Sequence, residues 1–181
     1  MAKIRAFKAY RGLERPYTRI SKFNKKNYVR GGYPHSKIIK FDLGNKTGMF
    51  DTVLRLNTTA ALNIRHNALE SARLSSNRFL ERNSNRSAYH LKIKVYPFHL
   101  LRENPLASGA GADRMSTGMK KSFGKIIGSA ARLKNGQTVI EVRVNKEHTK
   151  VAKEALKRAS KKLPCSCRIE VIEKAEKTLY A

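Results

Sequence analysis

Apolar and polar positions along this chain fall into two periods. Short apolar or alternating runs predict strands at Ile38 to Leu43, Phe50 to Leu56, His90 to Val95, Ser129 to Leu133, Thr138 to Val144 and Cys165 to Ile172. Turn formers punctuate them. Gly44-Asn45 separates the first two, Pro97 ends or edges the third, and Asn135-Gly136 is a strong hairpin signal between the fourth and fifth. In HLKIKV the alternation sends Lys92 and Lys94 outward.

Steps of three and four residues predict two helices. The first starts near Thr58 or Thr59, either of which can cap it, and runs to about Arg82, with Leu62, Leu69, Ala72, Ser76, Phe79 and Leu80 along its apolar side. Arg65 falls on the same side and either snorkels along the core edge or reaches a phosphate. The second runs from an Asn145 cap to about Leu163, where Pro164 halts it. At about 100° per residue, Ala152, Ala155, Leu156, Ala159 and Leu163 share the face a sheet would cover. Lys146, Lys150, Lys153, Lys157 and Lys161 share the opposite one, which is either an ordinary solvated stripe or a phosphate track.

Two long segments follow neither period. Residues 1–34 read as an arm in which Lys3, Arg5, Lys8, Arg11, Arg15, Arg19, Lys22, Lys25, Lys26 and Arg30 face the single acid Glu14. Phe7, Tyr10, Tyr17, Phe23, Tyr28 and Tyr33 are interleaved with them. Cations neutralise phosphates and rings stack on unpaired bases, so the arm suits RNA; a disordered basic tail is the plain alternative, against which the aromatic content weighs. The second segment, Ser108 to Gly128, holds five of the chain's eleven glycines and carries Arg114, Lys120, Lys121 and Lys125 against Asp113. It is read as a long exposed loop built to touch a polyanion. Between these segments the chain forms one core domain, residues 35–175, with the loop 106–125 protruding and 176–181 as a tail.

Charge sharpens this picture. The 181 residues carry a formal net charge of +26, a self-repulsion that calls for a permanent counter-charge such as nucleic acid or, less often, an anionic membrane. No run approaches the roughly 18 apolar residues of a membrane span, and the N-terminus lacks the apolar core of a signal peptide, so a cytosolic location is expected. Cys165 and Cys167 read as reduced, partly buried strand residues; neither they nor the scattered His35, His66, His90, His99 and His148 stand at metal-ligand spacing, and no metal or other cofactor is expected.

Catalytic patterns are missing. Asp113 has no nearby acid, Gly109-Ala110-Gly111 meets Arg114 where a dinucleotide fingerprint needs its third glycine, and no Walker-type sequence follows. A ribonuclease would have to draw on His90, His99 or His148, which share no evident site. The chain is therefore not expected to be an enzyme. The competing class is a free-standing RNA chaperone, or an accessory of an RNA-modifying enzyme, that binds many RNAs nonspecifically.

The run YHLKIKVYPFHLLRENPLASGAGADRMSTGMKKSFGKIIGSAAR, Tyr89 to Arg132, closely resembles the L-sixteen and L-ten-e family of large-subunit ribosomal proteins, in its archaeal and eukaryotic branch. RPYTR at Arg15 to Arg19, IRHNALESAR at Ile64 to Arg73 and KRASKKLPC at Lys157 to Cys165 extend the likeness colinearly over nearly the whole chain. The resemblance implies an α+β fold, a two-layer α/β sandwich of the α/β-hammerhead type. It also implies a structural component of the cytoplasmic ribosome, monomeric within it, that binds large-subunit rRNA near the central protuberance, beside the small rRNA found there and neighbouring ribosomal proteins. The family's long loop points toward the peptidyl transferase centre and the tRNA acceptor arms. Here it corresponds to Leu106 to Lys125, with Arg114, Met115, Lys120, Lys121 and Lys125 facing RNA.

For rRNA contacts this reading selects Arg11, Arg15, Tyr17, Arg19, Lys25, Lys26 and Arg30 of the arm. It adds Arg65, Arg73, Lys92 and Lys94 of the core and Lys150, Lys153 and Lys157 of the second helix. Eukaryotic members of the family continue further at the C-terminus, so a chain ending at Ala181 is expected to be archaeal.

Overall fold

A computed structural model describes residues 5–13, 34–104 and 124–173. In chain order these hold a 3-10 turn at Phe7–Tyr10, β1 (Asp42–Gly44), β2 (Thr52–Thr58), β3 (Leu62–Arg65), α1 (His66–Asn83), β4 (Tyr89–Ile93), β5 (His99–Glu103), β6 (Lys125–Leu133) and β7 (Thr138–Val144). A 3-10 turn at Lys146–His148, α2 (Thr149–Ser160) and β8 (Cys167–Glu173) follow. Every ladder is antiparallel. Five strands form one sheet in the order β1-β4-β7-β2-β8, and three form a second in the order β3-β6-β5. Among the described residues the fold is α+β, two helices with two antiparallel sheets.

One face of the larger sheet makes the core. Period-2 geometry puts Leu54 and Leu56 of β2, Leu91 and Ile93 of β4, and Ile140 and Val142 of β7 on one side. They cluster with Leu69, Ala72 and Leu80 of α1 and with Ala152, Ala155, Leu156 and Ala159 of α2. Each large apolar side chain buried there stabilises the fold by about 1.5–3 kcal/mol. Leu62 and Ile64 of β3 and Ala131 and Leu133 of β6 join the same cluster, so the smaller sheet is packed to the same core.

Four expectations are corrected. The first helix begins at His66, not near Thr58, because Leu62–Arg65 pairs with Leu133–Ala130 of β6 and is spent as a strand. Leu69, Ala72, Ser76 and Leu80 still form its buried stripe. The Asn135-Gly136 turn exists, with Gly136 at φ +75°, but it joins β6 to β7, which lie in different sheets, so it closes no hairpin. The second loop is shorter than expected, since Lys125 to Gly128 belong to β6. Its partner β5 was not foreseen: His99-Leu100-Leu101-Arg102-Glu103 is buried at four of five positions and shows no alternation to read.

Other boundaries move less. The first strand is confined to Asp42–Gly44, and the last runs Cys167–Glu173, leaving Cys165 outside it. Gly44 is required where it stands: φ is +82°, and a Cβ there would collide with the Tyr89 carbonyl oxygen, which accepts from the Asn45 N–H at 2.9 Å.

Candidate nucleic-acid interface

The outer face of α2 is the cleanest cationic surface. Burying the alanine-leucine stripe on the sheet and α1 leaves Lys146, Lys150, Lys153, Lys157 and Lys161 exposed together. Glu154 reaches Lys157 and Arg158 only at 4.0 Å, an exposed pairing that contributes little. The expected cap is modified: Asn145 starts the 3-10 turn, with the His148 N–H on its carbonyl at 3.0 Å, and α2 follows at Thr149.

Beside this face a cleft of about 490 Å³ opens between α1 and α2. Arg78 and Arg82 line one wall, Arg158, Lys161 and Lys162 the other, with Ser75, Phe79 and Glu154 completing it. The Arg158 guanidinium sits 4.0 Å over the centroid of the half-buried Phe79 ring. Among the described residues, no acid pairs with Arg78, Arg82, Lys161 or Lys162. Sequence reading missed this group because Arg78 and Arg158 meet only through helix packing. The local signal was there: Arg78 and Arg82 are i, i+4 on α1, just where its buried stripe ends.

The start of the N-terminal arm is part of the fold. Tyr10 is buried, and its hydroxyl donates to Glu103 Oε1 at 2.8 Å while accepting the Arg5 N–H at 2.9 Å. Arg5 Nε also meets Glu103 Oε2 at 2.9 Å. Asn63 Nδ2 donates to the carbonyls of Tyr10 (3.1 Å) and Gly12 (2.7 Å). Burial raises the Tyr10 phenol above its usual pKa; the Arg5 amide opposes this and Glu103 adds to it. Residues 5–12 are thereby fastened to the small sheet. Glu103 is opposite Lys125, so the fastening sits where the chain leaves and re-enters that sheet around residues 104–124.

Several core cations turn out to be engaged. Arg65 is half-buried: its Nη1 donates to the Arg5 carbonyl at 3.0 Å and the guanidinium lies 6.0 Å from the Tyr10 ring. Arg73 is buried and forks onto Glu70 one turn away, so it is a poor candidate for rRNA. Lys92 stands 3.7 Å from Asp42 and Lys94 3.7 Å from Glu141, both half-exposed on the outward face as the alternation predicted. A row of alternating charge crosses all five strands: Asp42, Lys92, Glu141, Arg55 and Glu170 are in register. Burial pushes the Glu141 pKa up, but the hydrogen bond from Arg143 and the charges of Lys94, Arg143 and Arg55 win and hold it below the ordinary range.

The remaining sequence-predicted positions divide simply. Lys150, Lys153 and Lys157 lie together on α2, Arg11 is exposed just past the first turn, and Lys125 is exposed at the start of β6. Arg15, Tyr17, Arg19, Lys25, Lys26, Arg30, Arg114, Met115, Lys120 and Lys121 fall outside the described residues.

Other reactive groups serve structure. His66 Nδ1 accepts the Lys37 N–H at 3.2 Å and lies 3.3 Å from Ser129 Oγ; burial, then the charges of Lys37 and Arg65, lower its pKa. Cys165 and Cys167 are free and half-buried, with sulfurs 3.8 Å apart. The hydrogen bond from Cys167 lowers the Cys165 pKa, and the same bond with burial raises that of Cys167. Among the described residues no three His, Cys, Asp or Glu side chains cluster to hold a metal, and no helix is long and apolar enough to cross a membrane.

Comparison with known proteins adds a second line. The profile of the family described as "Ribosomal protein L16p/L10e" matches residues 17–170. A protein of Archaeoglobus fulgidus called "Large ribosomal subunit protein uL16" is 45% identical over 170 residues, 94% of this chain and 93% of the relative. Proteins of the same name from Methanococcus maripaludis (45% over 169 residues, 93% and 94%) and Staphylothermus marinus (49% over 154 residues, 85% and 84%) are similar in the same way.

Proposed function

The chain belongs to the ribosomal protein L16p/L10e family, and from that membership we propose that it binds large-subunit rRNA near the central protuberance and helps position tRNA with a loop directed at the peptidyl transferase centre. Members of this family are non-enzymatic structural proteins of the large ribosomal subunit, acting in translation. The observation that carries the rRNA-binding part is the lysine face of α2 and its two ends, five exposed cations with no acid nearer than 4.0 Å among the described residues. A protein surface meant only for water has no use for that imbalance, whereas phosphates release counterions to it.

Further parts of the reading rest on the family. The core is a two-layer sandwich of the α/β-hammerhead type. Arg11, Arg15, Tyr17, Arg19, Lys25, Lys26 and Arg30 thread between RNA segments, and Lys150, Lys153 and Lys157 lie along a phosphate track. Arg114, Met115, Lys120, Lys121 and Lys125 face the tRNA acceptor arms. The partners are thus large-subunit rRNA, the small rRNA of the central protuberance, tRNA and neighbouring ribosomal proteins in a cytoplasmic ribosome. Fastening of residues 5–12 through Glu103 supports the loop assignment, because it stiffens the strand end from which residues 104–124 depart. Replacing Arg114, Lys120 and Lys121 by Ala should slow tRNA accommodation while leaving assembly intact. Normal accommodation on subunits fully occupied by the variant would refute the loop's role.

A further inference from the structure

We propose that the cleft between α1 and α2 is a binding pocket for one unstacked RNA nucleotide, its base against the Arg158–Phe79 pair and its phosphate on Arg78, Arg82, Lys161 and Lys162. This deepens, and rests on, the rRNA-binding reading of the chain. The cleft's volume, about 490 Å³, lies within the range of small-ligand sites. Its chemistry is divided in the way a nucleotide is divided. A guanidinium stacked 4.0 Å over an aromatic ring offers its second face to a planar partner, and Arg158 remains 53% exposed. The four other cations have no protein counter-charge among the described residues, so a phosphate would be their first partner. Glu154, the one acid among the described residues lining the cleft, is placed to accept from the amino group of a base.

Helix ends explain part of this arrangement and leave the rest. Cations in the last turns of α1 and α2 favour the helix dipoles, which accounts for Arg82 and Arg158. That preference requires neither the meeting of five cations across one cleft nor the planar stack within it. An acidic peptide would meet the charges but leave the stacking face without use. Continuity favours RNA as well, because Lys161 belongs both to the exposed lysine face and to the cleft wall.

The test uses the full chain with deproteinised archaeal large-subunit rRNA and, in parallel, an unrelated RNA of equal length. Ultraviolet crosslinking followed by peptide mapping should put a nucleotide adduct on the peptide containing Phe79 or on that containing Lys161 and Lys162. Arg158→Gln should remove this adduct, spare those elsewhere, and weaken binding by about 5- to 150-fold, the usual span for one base stack. Arg158→Lys keeps the charge and should bind as poorly as Arg158→Gln. Adducts confined to other surfaces, or an Arg158→Lys variant that binds like wild type, would overturn the pocket. Equal affinity for the two RNAs would instead strike at the rRNA reading, while the adduct map would still decide whether the cleft takes a nucleotide. Because Arg158 is exposed, unchanged melting of both variants is expected to separate binding from folding.

Discussion

Replacing Lys150, Lys153 and Lys157 together by alanine removes three cations from α2 without touching its buried stripe. All three are exposed, and among the described residues the only ion pair they make is that of Lys157 with Glu154 at 4.0 Å, so each is free to meet a phosphate. Alanine is the best helix former, which keeps α2 itself intact. Each phosphate contact contributes about 0.7–0.9 to the slope of log affinity against log salt, so three lost contacts reduce that slope by roughly 2.1–2.7. Between 50 and 200 mM salt this amounts to about 20- to 40-fold less salt-induced weakening than in the wild-type chain. Fluorescence anisotropy with large-subunit rRNA across that range measures it, with thermal melting as the check on folding. A variant that melts normally and keeps the wild-type slope would show that the α2 face does not lie on phosphates.

Other consequences test the scaffold. Leu156→Ala, at a fully buried position shared by α2 and the sheet, should cost about 2–5 kcal/mol in urea unfolding; a cost below 1 kcal/mol would mean that the core is looser than described. Glu103→Ala strands the buried Tyr10 hydroxyl and removes the Arg5 pairing, and should weaken the fastening of residues 5–12 by about 1–3 kcal/mol, read as loss of amide exchange protection there. Unchanged protection would refute the fastening. His66 has a folded pKa below its ordinary 6.5, so in that interval the unfolded chain binds the extra proton; the stability this contributes is present above pH 6.5 and is lost as pH falls through the folded value. His66→Asn should flatten this part of the profile, and an unaltered acid limb would assign it to other groups.

Local pattern revealed the elements whose neighbours do not override it. α2 was legible because its 3.6-residue period is unbroken from Ala152 to Ala159, and β4 because HLKIKV alternates. Leu62–Arg65 was read into the helix because its residues continue the apolar stripe of α1; pairing with β6, nearly seventy residues away, decides otherwise. Asn135-Gly136 was a true turn with the wrong implication, since a dipeptide specifies how the chain reverses and not which sheet it rejoins. The candidate surface divided in the same way. Lysines spaced along one helix were visible from spacing alone, whereas the α1–α2 cleft and the Tyr10–Glu103 fastening join residues far apart in sequence, Phe79 with Arg158 and Tyr10 with Glu103. The burial of Arg73 was equally invisible, because Glu70 lies within its own helix and looks like any exposed i, i+3 pair.

Stoichiometry on native ribosomes tests the central claim most directly. Cell lysate from the source organism is sedimented through a sucrose gradient at moderate salt, and this chain is quantified against large subunits. The account predicts one copy per large subunit, retained through a moderate-salt wash. Substoichiometric amounts spread through the light fractions would contradict it and identify a free RNA-binding protein instead.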